Sequence, residues 1–322
     1  MNSISRLFSL FAAALLMLTC LIFTSACQDE ADEGLDVVAS VFVPFDFART
    51  IAGDGARVTQ LLPPGGEGHD WEPPAKTLRE VSRADLFIYV GGGGDKWAEK
   101  LLASADVSDA IASGSLRVLC LCDVLDLSCY YGEDAHSQDG HDHNIDTHFW
   151  TSTRLARSVA DAILNALVAL TPDAEAIYRA NHAALAESLD ALDSELESAT
   201  VDGGKLYFGD KFAFYYLCRD YGIEYLSPYD GCTDDALPTD RVVVEMKEEV
   251  RRESVKIVFC EEYNSSSALA ASIASECGAA VRELHSCHNL SKADLEAGLG
   301  YIDIMKRNAE LIREALAVSV ES

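Results

Sequence analysis

Two histidines stand in loops whose composition suits the presentation of a metal ligand. His69 lies at the tip of a proline- and glycine-rich loop that ends at Pro74, where a helix is predicted to begin. His148 lies between Asp146 and Trp150, directly before another predicted helix. Because glycine lets a backbone turn sharply and approach its neighbours closely, the first loop can direct His69 inward. The alternative for this loop is a surface loop with a solvated histidine.

Together the two loops resemble those of the metal-binding solute-binding proteins of bacterial ABC transporters, in the zinc and manganese group. The first loop matches the family pattern P-G-x-x-x-H-x-[YW]-E-P over residues 64–73. The second matches D-P-H-[VF]-W over residues 146–150, with Thr147 in place of proline. The resemblance covers nearly all of the chain after residue 35. It implies a protein that captures Zn²⁺ and delivers it to an ABC permease and its ATPase, which are separate chains.

The resemblance also implies ligands in the second half of the chain, where the sequence departs from the family pattern. Gly209 occupies the position of a family histidine, so that ligand is missing, and His285 occupies the position of a family aspartate. We therefore predict a rearranged site with His69, His148 and His285 as metal ligands. A water or a further side chain completes it, and the candidate side chains are His288, Asp210 and Glu261. The alternative for residues 285–288 is a disulfide-pinned loop with polar tips.

The ligand types decide between metals and between classes of function. Three imidazoles favour Zn²⁺ over Mn²⁺, which prefers oxygen-rich octahedral shells, while nickel, cobalt and copper stay open. Capture requires neutral imidazoles, so the affinity of the protein for the metal should fall as the pH drops through the histidine range.

The sequence contains no His-Glu-x-x-His motif, and its spacing marks no general base, so we predict that the protein is not an enzyme. The alternatives are a binding protein for manganese or another transition metal, a lipid-anchored adhesin on the same fold and, less favoured, a zinc hydrolase.

An irregular polar stretch, residues 123–147, contains further histidines among acidic residues. These histidines are His136, His141 and His143. Mixed histidines and carboxylates in such a segment can hold a cation loosely. In the resembled family a histidine-rich loop often occupies this place and is thought to gather zinc, which implies metal capture here. The alternative is a polar flexible loop.

The beginning of the chain has the pattern of a secretory signal. A basic residue is followed by a mostly apolar run to Phe23, too short to favour a membrane span, and by small residues before Cys27. We predict a signal peptide over residues 1–26. The ending resembles a bacterial lipobox, which implies lipid attachment to Cys27, and a plain secretory signal is the alternative. Residues 27–34 then form a lipidated acidic tether, so we expect an extracytoplasmic protein that is anchored to the cell membrane.

Charge and cysteine content limit the partners and the compartment. The 322 residues include 53 acidic and 25 basic ones, for a net charge of −28, which excludes nucleic acid as a partner and disfavours broad adhesion to anionic lipid.

Apart from Cys20 and Cys27, eight of the ten cysteines remain, and an even number suggests disulfides in an exported protein. Eight cysteines allow about 105 pairings. We predict the pair Cys232 and Cys287, because both lie in loops near the predicted site.

The order of the predicted elements indicates an α/β fold. Strands alternate with helices over residues 35–150 and again over 201–322, which favours a parallel-type sheet in each of two lobes. Between them, residues 151–200 are predicted to be helical, since apolar residues recur every three to four positions. A long helix there resembles the rigid linking helix of the family, which implies two α/β lobes with limited hinge motion. We expect a monomer.

Overall fold

The part of the chain that begins at Leu35 forms one compact unit. The structure is a computed structural model, and it describes residues 34–66, 68, 71–93, 95–125, 127, 146–201, 203–229, 237–262 and 267–317. Within these ranges no helix is both long and apolar enough to cross a bilayer. The whole predicted signal peptide, and the predicted tether except for Gly34, lie outside the described residues. The predicted lobe boundaries stay predictions.

Parallel strands form the sheets of the described residues. The strands are β1 (Leu35–Ala39), β2 (Ala56–Gln60), β3 (Leu86–Tyr89), β4 (Arg117–Cys120), β5 (Lys205–Tyr207), β6 (Glu224–Leu226), β7 (Ile257–Glu261) and β8 (Ala280–Leu284). The first sheet has the order β2-β1-β3-β4. In the second half β5 pairs with β6 and β7 with β8, and a parallel bridge between Phe208 and Phe259 joins the two pairs. The predicted α/β class with parallel sheets is confirmed.

Helices connect these strands. They are α1 (Phe42–Ala52), α2 (Ala75–Arg83), α3 (Lys96–Leu102), α4 (Ala105–Ser113), α5 (Leu121–Val124), α6 (Thr153–Leu170), α7 (Glu175–Thr200), α8 (Tyr215–Asp220), α9 (Asp240–Arg252), α10 (Ala268–Ala274), α11 (Lys292–Glu296) and α12 (Tyr301–Ala317). The 26-residue helix α7 lies between the strands of the two halves and packs against α1, α6 and α12. It confirms the predicted long helix.

The helix α6 shows how the sequence sets these elements. Its N-terminus is capped because the Oγ of Ser152 accepts the N–H of Leu155. Leu155, Val159 and Ile163 then recur on one face and are buried in the largest hydrophobic core cluster, which contains residues of both halves of the chain. The stripe predicted from sequence is therefore the face of α6 that packs into the core.

Two local features depend on the backbone rather than on side-chain periodicity. The helix α1 begins at Phe42, so Pro44 stands in the first turn, where its missing N–H has no intrahelical partner to lose. The short strand β6 follows helix α8. It forms because its residues pair in parallel with β5, with Lys205 opposite Glu224.

A polar network joins the beginning of α6 to α7 and to the end of α8. The hydroxyl of Tyr221 donates to Asp193 at 2.5 Å and also contacts the hydroxyl of Thr153. Thr153 donates to the same carboxylate at 2.9 Å. Arg154 pairs with Asp193 at 3.2 Å and donates to the carbonyl of Asp220 at 3.2 Å. The network fixes the beginning of α6 against the long helix.

Candidate metal centre

His148 is buried, and a neighbouring carboxylate fixes its ring. Its side chain is 1% exposed, and Nδ1 lies 2.8 Å from the Oδ1 of Asp146. The same oxygen accepts the backbone N–H of His148 at 2.9 Å, while Tyr216 donates to the Asp146 carbonyl at 2.6 Å. A carboxylate at Nδ1 selects the tautomer with its proton on Nδ1. The lone pair of Nε2 is then the one that is directed to the site.

Carboxylates make the surroundings of His148 electronegative. Burial lowers the pKa of this imidazole, but the charge and hydrogen bond of Asp146 and the charges of Glu261 and Glu262 outweigh it. The pKa of His148 consequently lies above its ordinary value of 6.5. The two glutamates stand at the end of β7, so this end of the second sheet lies close to His148. A cation is favoured in this field.

The ring of His288 lies next to the Nε2 atom of His148. The Nδ1 of His288 lies 3.3 Å from the Nε2 of His148, and the ring centroids are 5.4 Å apart. His288 is 8% exposed. Gly68 approaches the opposite ring nitrogen so closely that a Cβ at this position would overlap the Nε2 of His288. The structure therefore brings the loop that carries His69 against His288, although His69 itself lies outside the described residues.

Side chains of both halves hold this loop in place. The amide of Asn289 donates to the carbonyls of Pro63 and Gly66 at 2.7 and 3.0 Å. Trp97 donates to the carbonyl of Gly68 at 3.2 Å. Because these bonds satisfy loop carbonyls, the segment before His69 has a defined position beside the segment that carries His288 and Asn289.

His285 makes a different set of contacts. Its Nδ1 accepts the N–H of Cys287 at 2.9 Å and lies 3.6 Å from the Oε1 of Glu262. Its backbone N–H donates to the Oδ1 of Asn308 at 3.0 Å. The predicted ligand His285 is therefore placed beside Glu262, whereas the ring that contacts His148 is that of His288, which the sequence offered only as an additional candidate.

Glu262 is a site residue that sequence reasoning did not find. Its side chain is 6% exposed, and its two oxygens accept the N–H and the hydroxyl of Ser286 at 2.8 and 2.5 Å. The Ser286 hydroxyl in turn accepts the N–H of His288 at 3.3 Å. Glu262 thereby fixes the turn in which Cys287 has a left-handed φ of 61°. The available signal was its position directly after a predicted parallel strand, where ligands gather in α/β sheets.

The position assigned to the missing family histidine has no room for a side chain. A Cβ on Gly209 would lie 2.5 Å from the Cα of Ala270 and 3.0 Å from a methyl group of Val258. The following residue, Asp210, is buried, and its Oδ1 accepts the N–H of Lys211 at 3.0 Å. Glycine at 209 is thus required by the packing of α10 on the second sheet.

Several predicted site residues lie outside the described residues. They are His69, His136, His141, His143, Cys27 and Cys232, so their roles and the pairing of Cys232 with Cys287 stay predictions. Within the ranges that the structure covers, no three histidine, cysteine or acidic side chains are grouped closely enough to hold a metal ion. A site with three protein ligands around His148 and His288 consequently needs a residue from beyond these ranges.

Known proteins resemble this chain over most of its length. A family model described as zinc-uptake complex component A, periplasmic, matches residues 37–315. The zinc-binding lipoprotein AdcA of Streptococcus pneumoniae is 31% identical over 306 residues, which cover 93% of this chain but 60% of AdcA. The zinc uptake protein ZnuA of Bacillus subtilis is 28% identical and is covered to 99%. The Zn(II)-bound ZnuA-like domain of pneumococcal AdcA superposes with a TM-score of 0.71 at 27% identity, over 88% of this chain and 99% of that domain.

Proposed function

Because this chain belongs to the family of periplasmic zinc-uptake complex component A, we propose that it captures Zn²⁺ outside the cytoplasm and delivers it to the permease of an ABC transporter. The permease and its ATPase are separate chains in this proposal. Zinc is the transported substrate, and the protein catalyses no reaction. The named relatives support the metal: AdcA of S. pneumoniae is called a zinc-binding lipoprotein, and ZnuA of B. subtilis a zinc uptake protein.

The contact between His148 and His288 is the observation that carries the proposal. Zinc–imidazole bonds of about 2.0–2.1 Å in a tetrahedral shell place two ligand nitrogens about 3.3–3.4 Å apart. The Nε2 of His148 and the Nδ1 of His288 are 3.3 Å apart. Two buried imidazoles in an acidic surrounding are thus spaced as two ligands of one zinc ion.

The proposed ligands are His148, His288 and His69. His288 replaces His285 in this set because its ring, and not that of His285, contacts His148. Glu261, whose charge acts on His148 from the end of β7, is the first candidate for a fourth ligand, but it would have to move to bind, because the described residues group no third such side chain with His148 and His288. A water in its place would leave zinc easier to release. Asp210 is the second candidate carboxylate for the fourth ligand.

The same proposal places the protein at the membrane surface. Lipid on Cys27 would hold the mature chain there as a monomer, and the name of the lipoprotein AdcA supports this anchoring. The histidines of residues 123–147, His136, His141 and His143, would collect zinc ahead of the buried site.

Metal content and competitive zinc titration test the ligand set. The protein for this test contains residues 28–322, and the variants are His148→Ala, His288→Ala and His285→Ala. We expect one zinc per chain, a loss of affinity of more than about 100-fold in the first two variants, and near-normal affinity in the third. His182→Ala removes a buried histidine that pairs with Asp161 elsewhere, and serves as the control.

Two outcomes would contradict the proposal. A wild-type protein that retains no zinc and binds it no tighter than manganese is not a zinc receptor. A His285→Ala variant that loses zinc while His288→Ala retains it would restore His285 as the ligand.

A further inference from the structure

A basic groove lies between α2 and the strands β1 and β2, and it extends along both strands as far as Val38 and Thr59. It has a volume of about 430 Å³, and its walls carry four cations, Arg57, Lys76, Arg79 and Arg83, against two carboxylates, Asp36 and Glu80. This excess of positive charge occurs in a chain with a net charge of −28. The groove is therefore a local exception to the charge of the whole protein.

Three of these cations have no partner that neutralises them among the described residues. Lys76, Arg79 and Arg83 are spaced three and four residues apart, so they lie on one face of α2, and all three are exposed. None of them forms an ion pair with another residue that the structure describes. Arg57, by contrast, is held by Asp36 through two bonds of 2.7 and 2.6 Å. The charge of the α2 face is thus available to an external anion.

The groove also stands where the chain arrives from the predicted tether. Asp36, in its wall, is the second residue of β1. Seven residues, 28–34, separate the predicted lipid site Cys27 from this strand, so the Cα atoms of Cys27 and Leu35 are at most about 28 Å apart. Lipid on Cys27 would hold the groove within that distance of the bilayer surface, where the phosphates of anionic lipids are concentrated.

We propose that the basic groove docks on the phosphate headgroups of anionic phospholipids in the membrane that carries the anchor. Guanidinium and ammonium groups on one helical face suit several phosphates in a plane. The net charge of the protein repels the same surface, so the contact is local, salt-sensitive and reversible.

Vesicle co-sedimentation tests the groove. The protein consists of residues 28–322 without lipid, which keeps the whole compact unit from Leu35 on, and chelator keeps it metal-free. Vesicles of equal parts phosphatidylglycerol and phosphatidylcholine are compared with pure phosphatidylcholine at low ionic strength. We expect binding to the anionic vesicles only, and a loss of at least about tenfold in Arg79→Gln/Arg83→Gln, since each basic residue near such a surface contributes about fivefold.

A matched variant and a competitor decide between explanations. Lys306→Gln/Arg307→Gln removes the same charge from exposed positions on α12 and should bind within twofold of wild type. Equal losses in both double variants, or no preference of the wild type for anionic vesicles, would overturn the proposal. Release from the vesicles by inorganic phosphate at constant ionic strength would also overturn it, because the groove would then bind free phosphate.

If Arg79→Gln/Arg83→Gln does not fold, Lys76→Gln alone is expected to lose about fivefold in affinity for the anionic vesicles. Because zinc is absent throughout, failure here leaves the proposed transport function standing.

Discussion

At the scale of single residues, the candidate centre depends on which nitrogen of each ring is left for a metal. Asp146 engages the Nδ1 of His148, which leaves Nε2 directed at His288. The same carboxylate raises the pKa of His148 and thereby strengthens the competition of protons with zinc for that ring. Asp146 therefore has two opposing effects on zinc binding, and pH separates them.

Asp146→Asn is expected to weaken zinc binding by about 10- to 100-fold at about pH 8, because the ring loses the partner that orients it. The variant also removes a negative charge beside His148, so the pKa of this residue falls. At lower pH the wild-type site is protonated first, and the gap between the two proteins should narrow. Competitive zinc titration at several values between about pH 5.5 and 8 measures both effects.

A second histidine–aspartate pair supplies the control. His182 lies 2.8 Å from Asp161, and the two belong to α7 and α6 rather than to the candidate centre. Asp161→Asn should leave zinc affinity and its pH dependence unchanged. If both variants bound zinc equally, or if the gap at Asp146 stayed constant over the pH range, the orienting role would be wrong.

The residue scale also shows where sequence reasoning reaches its limit. The motif around His148 was sufficient to find a histidine that the structure buries at the centre. His285 and His288 are three residues apart, and the motif alone does not tell which ring meets His148. That depends on the left-handed φ of Cys287 and on the bonds from Glu262 to Ser286, which come from separate parts of the chain.

At the scale of elements, the loops after β7 and β8 act as one unit. Glu262, one residue beyond β7, accepts two hydrogen bonds from Ser286, two residues beyond β8. Parallel pairing brings the carboxyl ends of these strands together, and the glutamate then joins the loops that follow. The position of His288 therefore depends on both strands.

The variant Glu262→Gln tests whether this carboxylate connects the loops after β7 and β8. A glutamine carbonyl can still accept the N–H of Ser286, but the amide NH2 cannot accept the Ser286 hydroxyl, and the charge that strengthens both bonds is lost. We expect the free energy of unfolding to fall by about 1–3 kcal/mol. The zinc affinity should fall as well, because His288 is less well positioned. Chemical denaturation of the metal-free protein and zinc titration are the measurements.

Glu249→Gln provides a comparison on α9. Its carboxylate pairs with Lys205 at 2.5 Å, so the substitution also removes a partly buried interaction. It should affect stability without affecting zinc affinity. Unchanged zinc binding in Glu262→Gln would show that the loop holds His288 without this carboxylate.

Elements differ in how well the sequence predicts them. The apolar stripe of α6 and the alternation of strands and helices suffice for long elements, because local periodicity reflects burial. The three-residue strand β6 begins with the exposed Glu224 and has no periodicity of its own. It exists because β5 offers a free edge for pairing, which is a property of the folded sheet.

At the scale of the whole molecule, the candidate centre draws on both halves of the chain. His148 follows the first sheet, His288 follows the last strand of the second, and Gly68 approaches His288 from the first sheet. Since one hydrophobic cluster also contains residues of both halves, a metal at this point would be bound by a single folded unit. Unfolding that unit would separate the ligands.

Zinc should therefore raise the stability of the entire protein. A ligand that binds only the folded state at about 100 times its Kd adds about 2.7 kcal/mol to the free energy of unfolding. We expect a rise in Tm with zinc that is smaller near pH 6 than near pH 8, because protons compete for His148, whose pKa is raised. His148→Ala and His288→Ala should lose most of this rise, whereas Lys306→Gln/Arg307→Gln should keep it. Calorimetry with and without zinc at both pH values makes the comparison. If zinc raised the Tm of His148→Ala as much as that of wild type, the stabilising ion would be bound elsewhere, and residues 123–147 would be the first place to look for it.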